Sequence, residues 1–376
     1  ATSTNNSGLL SAATLDFSLE QFAPGNSKAV IGSGPFTITE ETIGSTLTLT
    51  ARDDYNWAPP SRGHQGRPYL DEVLITVTPE DSVRVGGLLS GQADVIRAVE
   101  AQDEAQVRKS GFTIYAPQTN GVNNHLSLRF RNDVLADIRV RQALIAGIDR
   151  QELVDVIYTD SYPLATSILS KGAVGYINTE DAFTFDAKRA ARLLDEAGWL
   201  PGADGIREKN GVSLTLVANE SAAQARSFEA LTLISQQLAK IGVDLQILKA
   251  DAGTAAEAVR DGDRVQVSHQ MVARADLDVI KSEFYSTNRN TLLNLNYADT
   301  SIGDEQLEEL LRAVASEPDA EKRVANSQAV QRYLAEQAYV IPLFEEPQVY
   351  GAAPTVHGLK FEAVARPSFL EVWLDK

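Results

Sequence analysis

The chain of 376 residues has no cysteine, one methionine and only four histidines. Without cysteine there can be no disulfide, no thiolate nucleophile and no cysteine-ligated zinc. His64, His125, His269 and His357 lie far apart and make no HxxxH-type or HxxE-type pair, so no metal site is legible. A GxSxG elbow, a Ser/Lys pair and a paired-carboxylate arrangement are missing too, and an enzyme is not expected. Positive charge is also short. Against 51 acidic residues stand 34 basic ones, a formal charge of −17 that repels phosphate and argues against a nucleic-acid partner. No run of about 18 apolar residues is available to span a bilayer as a helix. The opening ATSTNNSGLLSAATL has neither the basic nor the apolar region of a secretion signal. The expectation is that a signal has been removed or that the chain begins inside a longer protein.

What is present is ordinary globular material, 43% hydrophobic and 23% charged. The length predicts two lobes rather than one core. Residues 1–31 show weak periodicity. Phe36 to Thr39 and Ser45 to Thr50 read as a hairpin, and Glu72 to Thr78 as a further strand. The preceding Gly32-Ser33-Gly34-Pro35 is no phosphate cradle, because a strand and not a helix follows. Helices from Asp81 and over 101–109 then alternate with short strands at 94–96 and 112–115, an α/β pattern. After a turn-rich crossing, Asn124 to Phe130 alternates as a strand.

The stretch DIRVRQALIAGIDRQE, 137–152, carries Val140, Ala143, Leu144, Gly147 and Ile148 on one helical stripe. Arg139, Arg141 and Gln142 lie mostly off it. Asp137 is placed to cap this helix. Asp149 is placed to cap the next, with Glu152 at the capping-box position. Further helices follow at 186–197, 221–240, 304–315 and 320–337. Strands at 213–217 and 243–248 flank the second of these, which predicts a right-handed parallel crossover. A strand at 339–344 leads into a β-rich tail.

VRQALIAGIDRQELV resembles a signature of the family 5 solute-binding proteins of ABC importers, which capture peptides, nickel complexes and related solutes. Other stretches resemble that family's landmarks in the same order. They are Gly32–Phe36, Arg52–Trp57, Leu88–Asp94, Phe185–Trp199, Asp204–Ile206, Leu238–Val243, Arg274–Asp278 with Phe284–Ser286, and Ile341–Leu343. The likeness runs over roughly residues 30 to 345. The family's opening strand segment is not recognisable.

The resemblance implies an α/β, two-lobed fold of the type II periplasmic-binding-protein kind, with mixed sheets and two hinge crossovers, near Pro117–Gly121 and Leu343–Pro347. Residues 1–118 with 345–376 would form the first lobe, incomplete for want of its N-terminal part, and 119–344 the second. A ligand would lie between the lobes. Asp276 would pair with a peptide's α-ammonium, Arg274 could serve a carboxylate, and Asp278 could support either; a local salt-bridged turn is the plainer alternative. Asn124, His125, Tyr285, Asn288 and Asn294 are further candidates, and Tyr55 and Trp57 are expected to pack their lobe.

No cofactor and no metal are implied. The expected partners are a short peptide or similar solute and the permease subunits. Any membrane association would run through the permease or a lipid anchor outside this sequence. A monomer is expected, acting in the periplasm or on the outer face of the cytoplasmic membrane. Alternatives left open are a nickel-complex binder and the ligand-sensing half of a transcriptional regulator with the same fold.

Overall fold

The computed structural model describes residues 10–23, 25–221, 224, 226–288 and 293–375. The chain divides into two units, Ala1–Pro117 with Gln348–Lys376, and Gln118–Pro347.

In the first unit, strands Phe36–Thr42, Thr46–Ala51 and Glu72–Thr76 form an antiparallel sheet. Helices Asp81–Leu89 and Ala101–Lys109 bury Leu88 and Val107 completely. The unit is closed by the far end of the chain: Tyr350–Ala352 is the middle strand of a three-stranded sheet, antiparallel to both Val95–Arg97 and Thr113–Tyr115. Tyr55 is buried, as expected, whereas Trp57 is 45% exposed and packs edge-on against it.

The second unit is built on a five-stranded mixed sheet in the order 244–248, 215–219, 267–273, 121–128, 340–344. Asp244–Leu248 and Thr215–Asn219 are parallel, as the strand–helix–strand pattern predicts. Gly121–Leu128 is antiparallel to both of its neighbours. All eight of its residues are buried, so the alternation expected of it is not seen. Both of its faces are covered: Leu126 and Leu128 meet Leu144, Ile148 and Leu238 on one side. On the other, Val122 joins a core with Val279, Phe284, Leu311 and Leu334. The long helix expected from Ser221 is seen as Ser227–Ala239; residues 222, 223 and 225 lie outside the described residues, as do 1–9 and 24 of the N-terminal segment.

The helix pair forms where the sequence places it, at Ile138–Gly147 and Arg150–Ile157. Asp137 accepts from the Arg139 N–H, and Asp149 from those of Gln151 and Glu152. The capping box is not closed by Glu152. The Asp149 N–H instead donates to Gln237 Oε1, while Gln237 Nε2 donates to Glu152 Oε2. Arg141, which lies off the apolar stripe, is buried as well. It is 4% exposed, donates to the carbonyls of Leu135, Ala136 and Gln337, and lies over the Tyr339 ring.

Candidate functional site

The strand Val267–Ala273 runs into the segment 274–278, which turns into the short helix Val279–Phe284. The turn is held at its start by Gly121, whose φ is +142° and which has no room for a side chain: a Cβ there would lie 2.1 Å from the Val272 carbonyl oxygen. Arg274 donates its N–H to the Asn120 carbonyl at 2.9 Å. Asp276 then folds back on itself, Oδ1 accepting from the Asp278 N–H at 2.8 Å, the local bond that makes Asp a turn former. At the far end Val279, Ile280 and Phe284 enter the core, so the turn sits on a fixed base.

Four charges meet here. Arg274 Nη1 lies 3.7 Å from Asp278 Oδ2. Arg323 Nη2, from the first turn of the helix Ala320–Glu336, lies 3.2 Å from Asp276 Oδ1. Both bonds to the Asp276 carboxylate fall on Oδ1; among the described residues Oδ2 receives none. The Asp276 side chain is 42% exposed, against 19% for Arg274 and 23% for Asp278. Sequence reasoning found Arg274, Asp276 and Asp278 and missed Arg323. No local signal marks it, since it is one of several charged residues on an ordinary helix.

The other candidates separate into surface and core. Tyr285 borders the core with the Lys281 ammonium 4.7 Å from its ring centroid, and Asn288 donates from Nδ2 to the Lys281 carbonyl. Asn294 is buried and ties a loop: Oδ1 accepts from Gly303 and Asp304 N–H, and Nδ2 donates to Glu308. Asn124 is fully buried and donates to the Glu346 carboxylate, while its own Oδ1 has no partner among the described residues. His125 is fully buried as well. Its Nδ1 meets the Asn123 carbonyl at 2.8 Å and Nε2 the Ser127 hydroxyl at 3.1 Å, and burial pushes its pKa down to about 4. Such a ring braces the sheet and has no open side for a ligand. Among the described residues no group of three or more His, Asp or Glu is placed to hold a metal, and no helix is long and apolar enough to cross a membrane.

The profile of the bacterial extracellular solute-binding proteins, family 5 Middle, matches residues 4–289. The oligopeptide-binding protein AppA of Bacillus subtilis is 28% identical over 224 residues, 59% of this chain and 40% of that protein. Di/tripeptide-binding protein 2 of Pseudomonas aeruginosa is 23% identical over 359 residues, 93% of this chain and 62% of that protein. The chain therefore spans less than two thirds of the length of these curated relatives. Among solved structures, NikA from Brucella suis in complex with Fe(III)-EDTA aligns with a TM-score of 0.79 at 22% identity, over 92% of this chain and 68% of that one. AppA from Bacillus subtilis in complex with a nonapeptide aligns at 0.69 and 22% identity, over 98% and 72%. At these identities the likeness establishes a shared fold.

Proposed function

Because the chain belongs to the bacterial extracellular solute-binding proteins of family 5, we propose that it is the substrate-binding component of an ABC importer and that it captures short peptides. It would act outside the cytoplasmic membrane, free in the periplasm or held by a lipid, and pass its cargo to the permease. Ligand contacts would shift the population toward a ligand-holding conformation, as differential affinity requires. A monomer suffices for this.

The observation that carries the peptide reading is Asp276. Its side chain is 42% exposed and is held in place through Oδ1, and among the described residues Oδ2 receives no hydrogen bond. Every linear peptide with a free N-terminus offers an ammonium, and a charge-assisted bond to it is independent of sequence. Asp278 and Arg274 support the turn, and Tyr285 and Asn288 lie on the adjoining segment.

A thermal-shift screen with mixtures of di- to nonapeptides tests this, with nickel complexes as a second arm and Asp276→Ala as the control. A ligand at 100 times its Kd adds about 2.7 kcal/mol of stability to the folded state. A peptide-dependent shift that vanishes in Asp276→Ala is the expected result. A shift given by nickel complexes and by no peptide overturns the peptide reading, and a peptide shift that survives the substitution overturns the role of Asp276.

A further inference from the structure

We propose that Arg323 is an internal stand-in for the ligand ammonium, occupying Asp276 in the free protein and so setting how strongly a free peptide N-terminus is selected; the inference rests on the reading of Asp276 given above. Arg323 is held at two points. Its Nε donates to the Val314 carbonyl at 3.1 Å, in the last turn of the helix Glu305–Ser316, where a cation is favoured by the helix dipole. Its Nη2 donates to Asp276 Oδ1 at 3.2 Å. With Arg274 facing Asp278, the two carboxylates and two guanidinium groups of this turn sum to zero charge.

An ammonium approaching Asp276 therefore meets a carboxylate that is already compensated. It must displace Arg323 or bind beside it, and in both cases the guanidinium opposes it. Displacement is cheap, because the Arg323 side chain is 26% exposed and that of Asp276 42%, and ion pairs open to water contribute little. A ligand whose N-terminus carries no charge gains nothing from Asp276 and is not opposed by Arg323. Arg323 thus lowers affinity for free-amine peptides alone, and acts as a specificity-determining residue.

The test takes the tightest peptide from the screen, in free and N-acetylated forms, and measures Kd by titration calorimetry for wild type, Arg323→Gln, Arg323→Lys and Asp276→Asn. Arg323→Gln is expected to lower the Kd of the free-amine peptide about two- to five-fold, the range that an exposed ion pair supports, and to leave the acetylated peptide unchanged. Arg323→Lys, which keeps the charge, stays at the wild-type value. In about 1 M salt the gain shrinks, since exposed charges are then screened within a few ångströms. Melting curves confirm that each variant folds, and Arg323→Met, which keeps the aliphatic stem, replaces the glutamine if it does not. An unchanged or raised Kd for the free-amine peptide in Arg323→Gln overturns the inference alone, provided Asp276→Asn still loses affinity. If neither Asp276→Asn nor acetylation changes the Kd, or no peptide binds, the anchor reading fails and this inference with it.

Discussion

Arg150 Nη1 donates to the Pro342 carbonyl oxygen at 2.9 Å, across 192 positions of chain. The same nitrogen donates to Ala165 O at 2.8 Å and Nη2 to Phe183 O at 3.1 Å, and the guanidinium stacks over the Phe183 ring. This arginine belongs to the stretch that resembles the family signature, yet it is buried at 5% exposure and donates to backbone carbonyls of the scaffold. Arg141 does the same with Gln337, at the end of the helix Ala320–Glu336. The signature therefore joins the helix pair to the strand Val340–Phe344 and to the loop before Phe183; its two buried arginines satisfy carbonyls that would otherwise be orphaned.

Arg150→Met is accordingly expected to destabilise the protein by about 3 kcal/mol or more, because three buried carbonyls lose their donor at once. Urea unfolding at neutral pH measures this. Arg150→Lys recovers only part of the loss, since an ammonium lacks the planar fork that reaches Ala165, Pro342 and Phe183 together. A wild-type midpoint for the methionine variant would show that water fills the guanidinium's place.

Acid should weaken the fold well before the carboxylates titrate. Burial pushes His269 down to about 3 and His125 to about 4. His269 Nδ1 meets the Ser227 hydroxyl, and its Nε2 has no partner among the described residues. Both rings are neutral when folded, whereas the unfolded chain takes up a proton near pH 6.5. Their contribution is thus fully present above about pH 6.5 and is lost as pH falls toward these folded values. By about pH 4.5 either ring alone would cost about 2–3 kcal/mol. Urea midpoints measured from pH 7.5 downward should fall, and less steeply in His269→Asn. A flat profile would mean that neither ring is held neutral in the folded protein, and for His125 the Glu283 carboxylate, 3.8 Å from its Nε2, is the natural counterion.

Gly121→Ala tests the turn that supports Asp276. The new methyl would meet the Val272 carbonyl oxygen at 2.1 Å and the Arg274 nitrogen at 2.9 Å, both backbone atoms that cannot swing aside. A cost of at least about 2 kcal/mol is expected, from the clash and the strained φ together. Peptide binding should fall with it, because the strand end that carries Arg274 has to move. Wild-type stability and binding in this variant would show that the turn can shift without consequence.

Features that depend on neighbours a few residues away are legible in the amino-acid sequence. Asp137, Asp149 and Asp186 cap their helices because a carboxylate at that position reaches amide groups two or three residues on, whatever else the chain does. The parallel pairing of 215–219 with 244–248 follows from a strand, a helix and a strand in succession. Which side chains reach solvent, and which distant group each one meets, follows instead from packing in three dimensions. Gln237 replaces Glu152 at the Asp149 amide because helix Ser227–Ala239 packs beside the pair. His125 is sealed into the core because both faces of its strand are covered. Arg323 finds Asp276 47 positions away because a helix start and a strand end are brought to one place. Caps are fixed by helix geometry within one turn, whereas burial and charge pairing are properties of the packed whole, and no window of sequence contains them.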